Sequence, residues 1–429
     1  RTHTSHPHLF SLIHSRGFMS SWSESVLVGS FCSPIKKFVV NDKGLFHYMG
    51  EVESAAPSPS YIIQSRCRQF MYCTLETTDE TTSRVMSFQC TDCDELEFKL
   101  LNSQPAGGGA PCFLSVDEDN SYLFVSNYFG GNVTIFPIDT GSGELLPKCQ
   151  EISFNITLAP HLSFNRDSGH THQTVHLTRS KNILLCELGQ NAIYTFQFHP
   201  QPGCQEPHDV LTQLSCWVAP PGSGPRHLVV HPSEEYAYVL SELSCTIIVL
   251  RMDPTTGAIL SQCALKEKTA PEPFQCHSTL RVEERDLPPE TINAAEILIS
   301  KDARFLYASN RDVASSADRH PVQAKFDQGT RCSIAVFSVL AGGADIQLIQ
   351  HVSTLGCHPR ALTFLHGGSH LAVANKNEGW RSQQPGGNLV VFPIDLVSGM
   401  LMSDDAVVTE DIAGVELTEP TWIQPLVHF

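Results

Sequence analysis

Short runs of alternating apolar and polar residues recur along the chain in groups of three, with turn residues between the runs. One group starts at Pro225 and continues through 236–242 and 246–250; another starts at Pro111 and continues through 122–127 and 133–136. Alternation with a period of two over four to eight residues is typical of β-strands, and Gly, Pro and Asp between such runs are typical of turns. The pattern therefore predicts a repeated unit made of short strands.

The first run of each unit has a recognisable start, and seven starts can be counted. They are Pro59, Pro111, His170, Pro225, Ala294, Pro359 and Pro420, where His170 and Ala294 stand in place of proline. The starts lie roughly 50 to 70 residues apart, which suits four-stranded units with long loops. No helical period of useful length interrupts them, and radial repetition of four-stranded sheets gives a propeller. We therefore predict an all-β, seven-bladed β-propeller.

The same repeat sets the expected domain organisation. The run at 26–29 has no start before it and Pro420 has no strands after it, so the N- and C-terminal strands are expected to share one blade. We expect residues 24–429 to form a single propeller domain, with polar surface insertions near 264–293 and 313–331. Residues 1–23 lack acidic side chains and are expected to be a disordered tail or a targeting segment.

Composition restricts the partners and the compartment. The 429 residues carry a net charge of −17 with no concentrated basic run, so we expect no nucleic-acid partner. No apolar run reaches the roughly 18 residues that cross a bilayer, so no membrane partner is expected either. Fifteen cysteines, scattered through the strand runs, favour a reducing compartment. The cytoplasm is the expected location, the mitochondrion is the alternative, and the oligomeric state is open.

Repeat register predicts where a site would lie, because the first strand of each propeller blade lines the central channel. Two residues beyond the starts stand Tyr61, Phe113, His172, His227, Glu296, Ala361 and Trp422. The matching ends of the second strands are Glu76, Tyr128, Glu187, Glu242, Arg311 and Lys376. Charged residues at recurring positions of apolar strands are costly unless they face water or one another. The register therefore predicts a polar pocket at the channel mouth, although such residues can also simply bind ordered water.

Other kinds of site have little support in the sequence. Cys90 and Cys93 form a single C-x-x-C pair without a second pair or a suitably spaced histidine, so no metal is expected. No phosphate-binding loop, zinc-protease motif or nucleophile elbow occurs. We therefore expect no cofactor.

Five segments, at 127–133, 222–227, 241–244, 295–297 and 308–311, closely resemble the seven-bladed propeller lactonase family. That family includes bacterial 6-phosphogluconolactonases and fungal carboxy-cis,cis-muconate lactonizing enzymes, and the resemblance runs from about Val26 to the C-terminus. The Pro-Arg-His element at 225–227 and the Ser-Asn-Arg element at 309–311 carry most of it. The resemblance implies a catalytic set of His172, Arg226, Glu242 and Arg311. From the register, the expected substrate-binding residues are His170, His227, Glu296 and Glu187.

The resemblance implies hydrolysis of a sugar lactone, most closely a 6-phosphogluconolactone-like molecule, by metal-free general-base catalysis at the channel mouth. Hydrolysis needs a base to activate water and a cation near the developing oxyanion. Glu242 or His172 is the expected base, while Arg226 and Arg311 are expected to hold a carboxylate or phosphate, so the expected partner is a small anionic lactone or carboxylate. A muconate-type lactonizing cycloisomerase needs the same groups, and a non-catalytic propeller binding protein also stays open.

Overall fold

The computed structural model describes twelve segments of the chain. They are 23–52, 58–92, 95–154, 168–201, 203, 208–260, 274–287, 291–313, 331–376, 387–409, 411–412 and 415–426.

The described residues contain seven four-stranded antiparallel sheets, and each of these sheets is one propeller blade. Blade one consists of β1 (Glu24–Ser30), β2 (Lys36–Val40), β3 (Phe46–Glu51) and β30 (Pro420–Pro425). Blade two consists of β4 (Ile62–Gln64), β5 (Phe70–Leu75), β6 (Arg84–Asp92) and β7 (Glu97–Pro105). Blade three consists of β8 (Pro111–Val116), β9 (Tyr122–Asn127), β10 (Asn132–Pro137) and β11 (Gln150–Ser153).

The remaining blades follow in chain order. Blade four consists of β12 (Thr171–His176), β13 (Ile183–Glu187), β14 (Ala192–Phe198) and β15 (Leu211–Val218). Blade five consists of β16 (Pro225–Val230), β17 (Tyr236–Ser241), β18 (Thr246–Arg251) and β19 (Gln275–Ser278). Blade six consists of β20 (Ile292–Ile299), β21 (Phe305–Asp312), β22 (Ser333–Leu340) and β23 (Asp345–Ser353). Blade seven consists of β24 (Pro359–Leu365), β25 (His370–Asn375), β26 (Asn388–Pro393) and β27 (Val407–Thr409), and a hairpin of β28 (Asp411–Ile412) and β29 (Val415–Glu416) follows it.

The prediction of a seven-bladed all-β propeller with one shared blade is confirmed. Strand β30 pairs antiparallel with β1, with Ile423 opposite Val28, so the ring is closed by strands from the two ends of the described chain. The first strands of neighbouring blades pack against each other around the channel. Helices in the described residues are short 3-10 turns such as Val282–Glu284. No described helix is long and apolar enough to cross a membrane.

The structure describes part of the insertion predicted at 264–293 and almost nothing of the insertion predicted at 313–331. Part of the range 264–293 belongs to the propeller instead: β19 is the outer strand of blade five, and β20 begins at Ile292. Residues 264–273 and 288–290 lie outside the described residues. The expected tail at 1–23 and the expected insertion at 313–331 also fall almost entirely outside them.

The core lies between blades, because each sheet buries both of its faces against its neighbours. One cluster joins Phe38 of blade one to Val391 of blade seven across the closure. Another joins Tyr72 of blade two to Phe136 of blade three. Burying one such side chain contributes roughly 1.5–3 kcal/mol, so these clusters hold the ring together.

Cysteines occur in both oxidation states. Eleven of the described cysteines are free, among them the fully buried Cys73 and Cys186. Cys90, in contrast, is disulfide-bonded. The compartment therefore stays a prediction.

A β-bulge at the channel end of the first strand places the residues of the site. Pro225 pairs with Ser241 and His227 pairs with Leu240, which leaves Arg226 outside the alternation. The same interruption leaves out Cys112, His172 and Arg360 in blades three, four and seven. A bulge turns its side chain away from the normal pleat, so it directs these residues into the channel mouth.

Candidate functional site

Glu242 bridges two arginines from adjacent blades at the channel mouth. Its Oε2 lies 3.1 Å from Nε of Arg226, and its Oε1 lies 3.2 Å from Nη2 of Arg311. The three residues are between 2% and 7% exposed. The structure thus brings together three of the four predicted catalytic residues, and the cluster carries one net positive charge inside an acidic protein.

Main-chain carbonyls of blade six fix the orientation of both arginines. Nη2 of Arg311 donates to the carbonyl of Ala294 at 2.9 Å, and Nη1 of Arg226 donates to the carbonyl of Ala295. Burial, and then the charge of Arg311, lower the pKa of Arg226 to about 10, so its guanidinium stays protonated at neutral pH.

Both guanidinium groups keep donors that the described residues do not satisfy. Nε of Arg226 and Nε of Arg311 are buried and make no hydrogen bond there, and the 3.1 Å contact of Arg226 with Glu242 is not aligned as one. An unsatisfied buried donor costs about 1–3 kcal/mol. The unmet donors add to the positive charge of the cluster, which an anion at the mouth would offset.

A hydrogen-bonded chain of side chains runs beside this cluster. Nδ1 of His227 lies 2.7 Å from Oε1 of Glu296, and Nε2 of His227 lies 3.0 Å from Nδ1 of His172. Nη1 of Arg226 is 3.3 Å from Nε2 of His227, so the chain and the arginine cluster are in contact. His172, the fourth predicted catalytic residue, is therefore linked to Arg226 through the ring of His227.

Burial keeps both histidines of the chain neutral. It lowers the pKa of His172 well below the ordinary 6.5, and the charge of Arg226 lowers it further. Burial likewise lowers the pKa of His227, although the Glu296 carboxylate opposes this shift. Neutral imidazoles can accept a proton at physiological pH.

Aromatic rings occupy the corresponding positions in blades one to three. The ring of Tyr61 lies 4.1 Å from Trp422 and 4.5 Å from Phe113, and Phe113 lies 5.3 Å from His227, measured between centroids. The channel therefore has a polar wall on blades four to six and an aromatic wall opposite.

The assumed register is wrong by one residue in blade four. Thr171 pairs with Glu187 as Pro225 pairs with Ser241, so Thr171 and not His170 is the true start. His172 therefore matches Arg226 rather than His227, and Leu188, not Glu187, matches Glu242. The cause is that blade four has no proline to mark its start.

Glu187 and His170, two of the predicted substrate-binding residues, contact the main chain. The carboxylate of Glu187 is fully buried and accepts the N–H groups of His170 and Gln190. The ring of His170 stacks on Tyr128 at 4.5 Å, and its Nδ1 lies 2.8 Å from the Tyr128 carbonyl oxygen. The other two, His227 and Glu296, lie in the hydrogen-bonded chain.

Arg360 is a mouth residue that the sequence analysis missed. It lies at the bulge of blade seven, and its Nη2 is 3.4 Å from Oε1 of Glu76. Its guanidinium also stands 4.8 Å from the centre of the Phe31 ring. The signal was present, because Pro359-Arg360 repeats Pro225-Arg226.

A cavity of about 160 Å³ lies elsewhere, among loops at the far ends of the first strands of blades two to four. Its lining residues include Arg66, Asp117, His176 and Lys181, and none of them belongs to the mouth. No group of three or more His, Cys, Asp or Glu in the described ranges is arranged to hold a metal ion.

Comparison with known proteins gives consistent results. A family described as "Lactonase, 7-bladed beta-propeller" matches residues 25–415. The 6-phosphogluconolactonase of Bacillus subtilis is 27% identical over 344 residues, which cover 80% of this chain and 82% of that protein. The 6-phosphogluconolactonase of Formosa agariphila is 27% identical over 383 residues, or 88% and 94% of the two chains.

Solved structures share the fold. A putative 6-phosphogluconolactonase from Bacteroides fragilis superimposes with a TM-score of 0.74 at 23% identity, covering 96% of this chain and 100% of that one. The periplasmic gluconolactonase of Pseudomonas aeruginosa has a TM-score of 0.72 at 21% identity, covering 94% and 99%.

Proposed function

Since the chain belongs to the seven-bladed β-propeller lactonase family, we propose that it hydrolyses a sugar lactone, with a 6-phosphogluconolactone-like molecule as the substrate. The relatives named above as 6-phosphogluconolactonases support the reaction type. The observation that carries the proposal is the bridging of Arg226 and Arg311 by Glu242 beside the neutral imidazole of His172.

His172 is the proposed general base. Glu242 is a poor alternative because two guanidinium groups stabilise its ionised form and occupy its oxygens. The described residues offer no hydrogen bond to Nε2 of His172, whereas its Nδ1 faces His227. The lowered pKa of His172 makes its imidazole a weak base but keeps the imidazole unprotonated at neutral pH, so it can accept a proton. The imidazolium that forms is stabilised by the oxyanion that appears in the same step.

The proposed reaction consumes one water and needs no redox partner. Nε2 of His172 takes a proton as the water oxygen bonds to the lactone carbonyl carbon, and the positive charges of Arg226 and Arg311 stabilise the resulting oxyanion. The ring C–O bond then breaks, and the imidazolium returns its proton to the leaving ring oxygen. The product is the open-chain hydroxy acid. No metal takes part in this scheme.

Two further functions stay open. A lactonizing cycloisomerase would use the same arginines to hold a muconate-type carboxylate, while a binding propeller would not turn over any of these compounds. The relatives named as lactonases favour hydrolysis, and the expected ligand is a small anionic lactone.

A pH indicator read against a blank without protein tests the proposal on a panel of three compounds, because lactone hydrolysis releases acid whereas cyclisation of a muconate carboxylate takes up a proton. The panel contains glucono-δ-lactone, its 6-phosphate and a carboxymuconate. We expect turnover of the phosphorylated lactone, and a fall of kcat by roughly 10²–10⁴-fold in His172→Asn. His199→Asn is the matched control, because His199 is exposed on the same blade. Turnover of the muconate alone would favour the cycloisomerase, and no turnover at all would favour the binding protein.

A further inference from the structure

The hydrogen-bonded side chains Glu296, His227 and His172 leave no ring nitrogen of His227 available to a substrate. Both nitrogens of the His227 ring are engaged, one by Glu296 and the other by His172. Oε1 of Glu296 also accepts the N–H of Ile297 at 3.1 Å, and the N–H of Glu296 donates to Oγ of Ser309 at 3.1 Å. These contacts hold the carboxylate in place, and Glu296, His227 and His172 are at most 4% exposed. A substrate could therefore reach His172 but not the ring nitrogens of His227.

Counting protons along the chain fixes the state of each ring. Oε1 of Glu296 accepts the Ile297 N–H, so it also accepts from Nδ1–H of His227. A neutral His227 then has its lone pair on Nε2. Nη1 of Arg226, at 3.3 Å, can share this acceptor, but two ring nitrogens 3.0 Å apart need a hydrogen between them, so Nδ1 of His172 donates to it. His172 is left with its lone pair on Nε2, the nitrogen that faces no described partner.

We propose that His227 and Glu296 are positioning residues, whose hydrogen bonds keep the proton of His172 on Nδ1 and its lone pair on Nε2. This inference rests on the proposed role of His172 as the base. It differs from the sequence-based expectation, in which His227 and Glu296 contact the substrate directly.

Burial and the nearby arginines favour the same arrangement. A protonated His227 would donate from both ring nitrogens, so Nδ1 of His172 would have to accept and the proton of His172 would lie on Nε2. An Nε2–H group cannot take a proton from water. Burial opposes that protonation most strongly and lowers the pKa of His227; Arg226, 3.3 Å from the ring, adds to this effect, while the Glu296 carboxylate acts against it. Arg311 and Arg360 lower the pKa of His172 and so help to keep its ring neutral. The thiol of Cys112 lies 3.9 Å from Nδ1 of His172 and is uncharged, because burial raises its pKa.

Nitrogen NMR of protein labelled in histidine measures the tautomer directly. The 15N shifts of His172, assigned by the signal lost in His172→Asn, are expected to report Nδ1–H with an unprotonated Nε2 in the wild type. Signals for Nε2–H on His172 would overturn the proposal. This measurement needs no substrate, so it stands or falls independently of whether the protein hydrolyses any lactone.

Two variants of Glu296 separate positioning from a purely electrostatic or structural role. Glu296→Gln keeps an oxygen acceptor opposite the Ile297 N–H and is expected to retain the tautomer and a kcat within about threefold of the wild type. Glu296→Met keeps the volume but loses the acceptor, so kcat should fall roughly 10- to 100-fold while KM changes little. An equal loss in both variants, or a change in KM alone, would contradict the positioning role. If Glu296→Met does not fold, Glu296→Gln and the wild-type tautomer still decide the question.

Discussion

Replacing Glu242 by glutamine removes the charge that holds two buried guanidinium groups together. Each contact, at 3.1 and 3.2 Å, corresponds to Coulomb attraction on the order of 5 kcal/mol at an effective dielectric constant of about 20. Desolvation offsets part of this, but breaking a buried ion pair by removing one partner typically costs about 3–5 kcal/mol. We therefore expect Glu242→Gln to fold with a free energy of unfolding lower by about 3–5 kcal/mol.

Urea unfolding measures this change, and the chain offers a close control. Glu235→Gln makes the same chemical change at an exposed position of the same blade and should stay within about 0.5 kcal/mol of the wild type. Adding Arg311→Met to Glu242→Gln removes one of the unpaired cations, so the double variant should show a coupling energy of at least about 1 kcal/mol. A Glu242→Gln protein as stable as the control, or no coupling, would refute the idea that this carboxylate holds both arginines.

The remaining predictions concern activity and pH. Arg311→Ala should lower kcat/KM roughly tenfold or more for the phosphorylated and the neutral lactone alike, because the oxyanion loses a charge-assisted interaction of about 1.5–3 kcal/mol, whereas the exposed Arg179→Ala should leave both values unchanged; an effect confined to KM of the phosphorylated lactone would contradict the role at the oxyanion. Turnover should survive EDTA, and activity lost with EDTA and restored by a divalent cation would contradict the metal-free scheme. Because burial lowers the pKa of His172 below 6.5, the acid limb of kcat/KM should lie below pH 6.5, and a limb at or above that value would exclude His172 as the base. Burial lowers the pKa of three histidines, His172, His176 and His227, so below about pH 6.5 the unfolded chain binds more protons than the folded chain. The free energy of unfolding should therefore be largest above about pH 6.5 and fall as the pH drops below it.

Strand periodicity predicts this fold well, because a repeated pattern of alternation and turns leaves few architectures. Glu242 and Arg311 could be found from register alone, since proline or a matching alanine marks the start of blades five and six. Arg226 stands one residue before the register position of blade five, so only the family resemblance indicated it. Blade four lacks such a mark, and counting from His170 instead of Thr171 misassigned both His172 and Glu187.

The hydrogen-bonded contacts could not be predicted in the same way. Bulges break the alternation at one residue per strand, and nothing in a single sequence marks which residue is displaced. The opposite outcomes for Glu187 and Glu296, one bound to main-chain N–H groups and the other to His227, depend on tertiary contacts between strands distant in sequence. Arg360 escapes the register because the position two beyond Pro359 is Ala361, and the bulge places the residue before it at the mouth.

Pairing of β30 with β1 also constrains how the molecule is made. Strand β1 acquires its innermost neighbour only when Pro420–Pro425 has been synthesised, after nearly all of the described sequence has left the ribosome. Contacts between such distant segments are slow to form. During translation, blade one therefore has an exposed strand edge, and chaperones that cover such edges would have their longest opportunity to bind there.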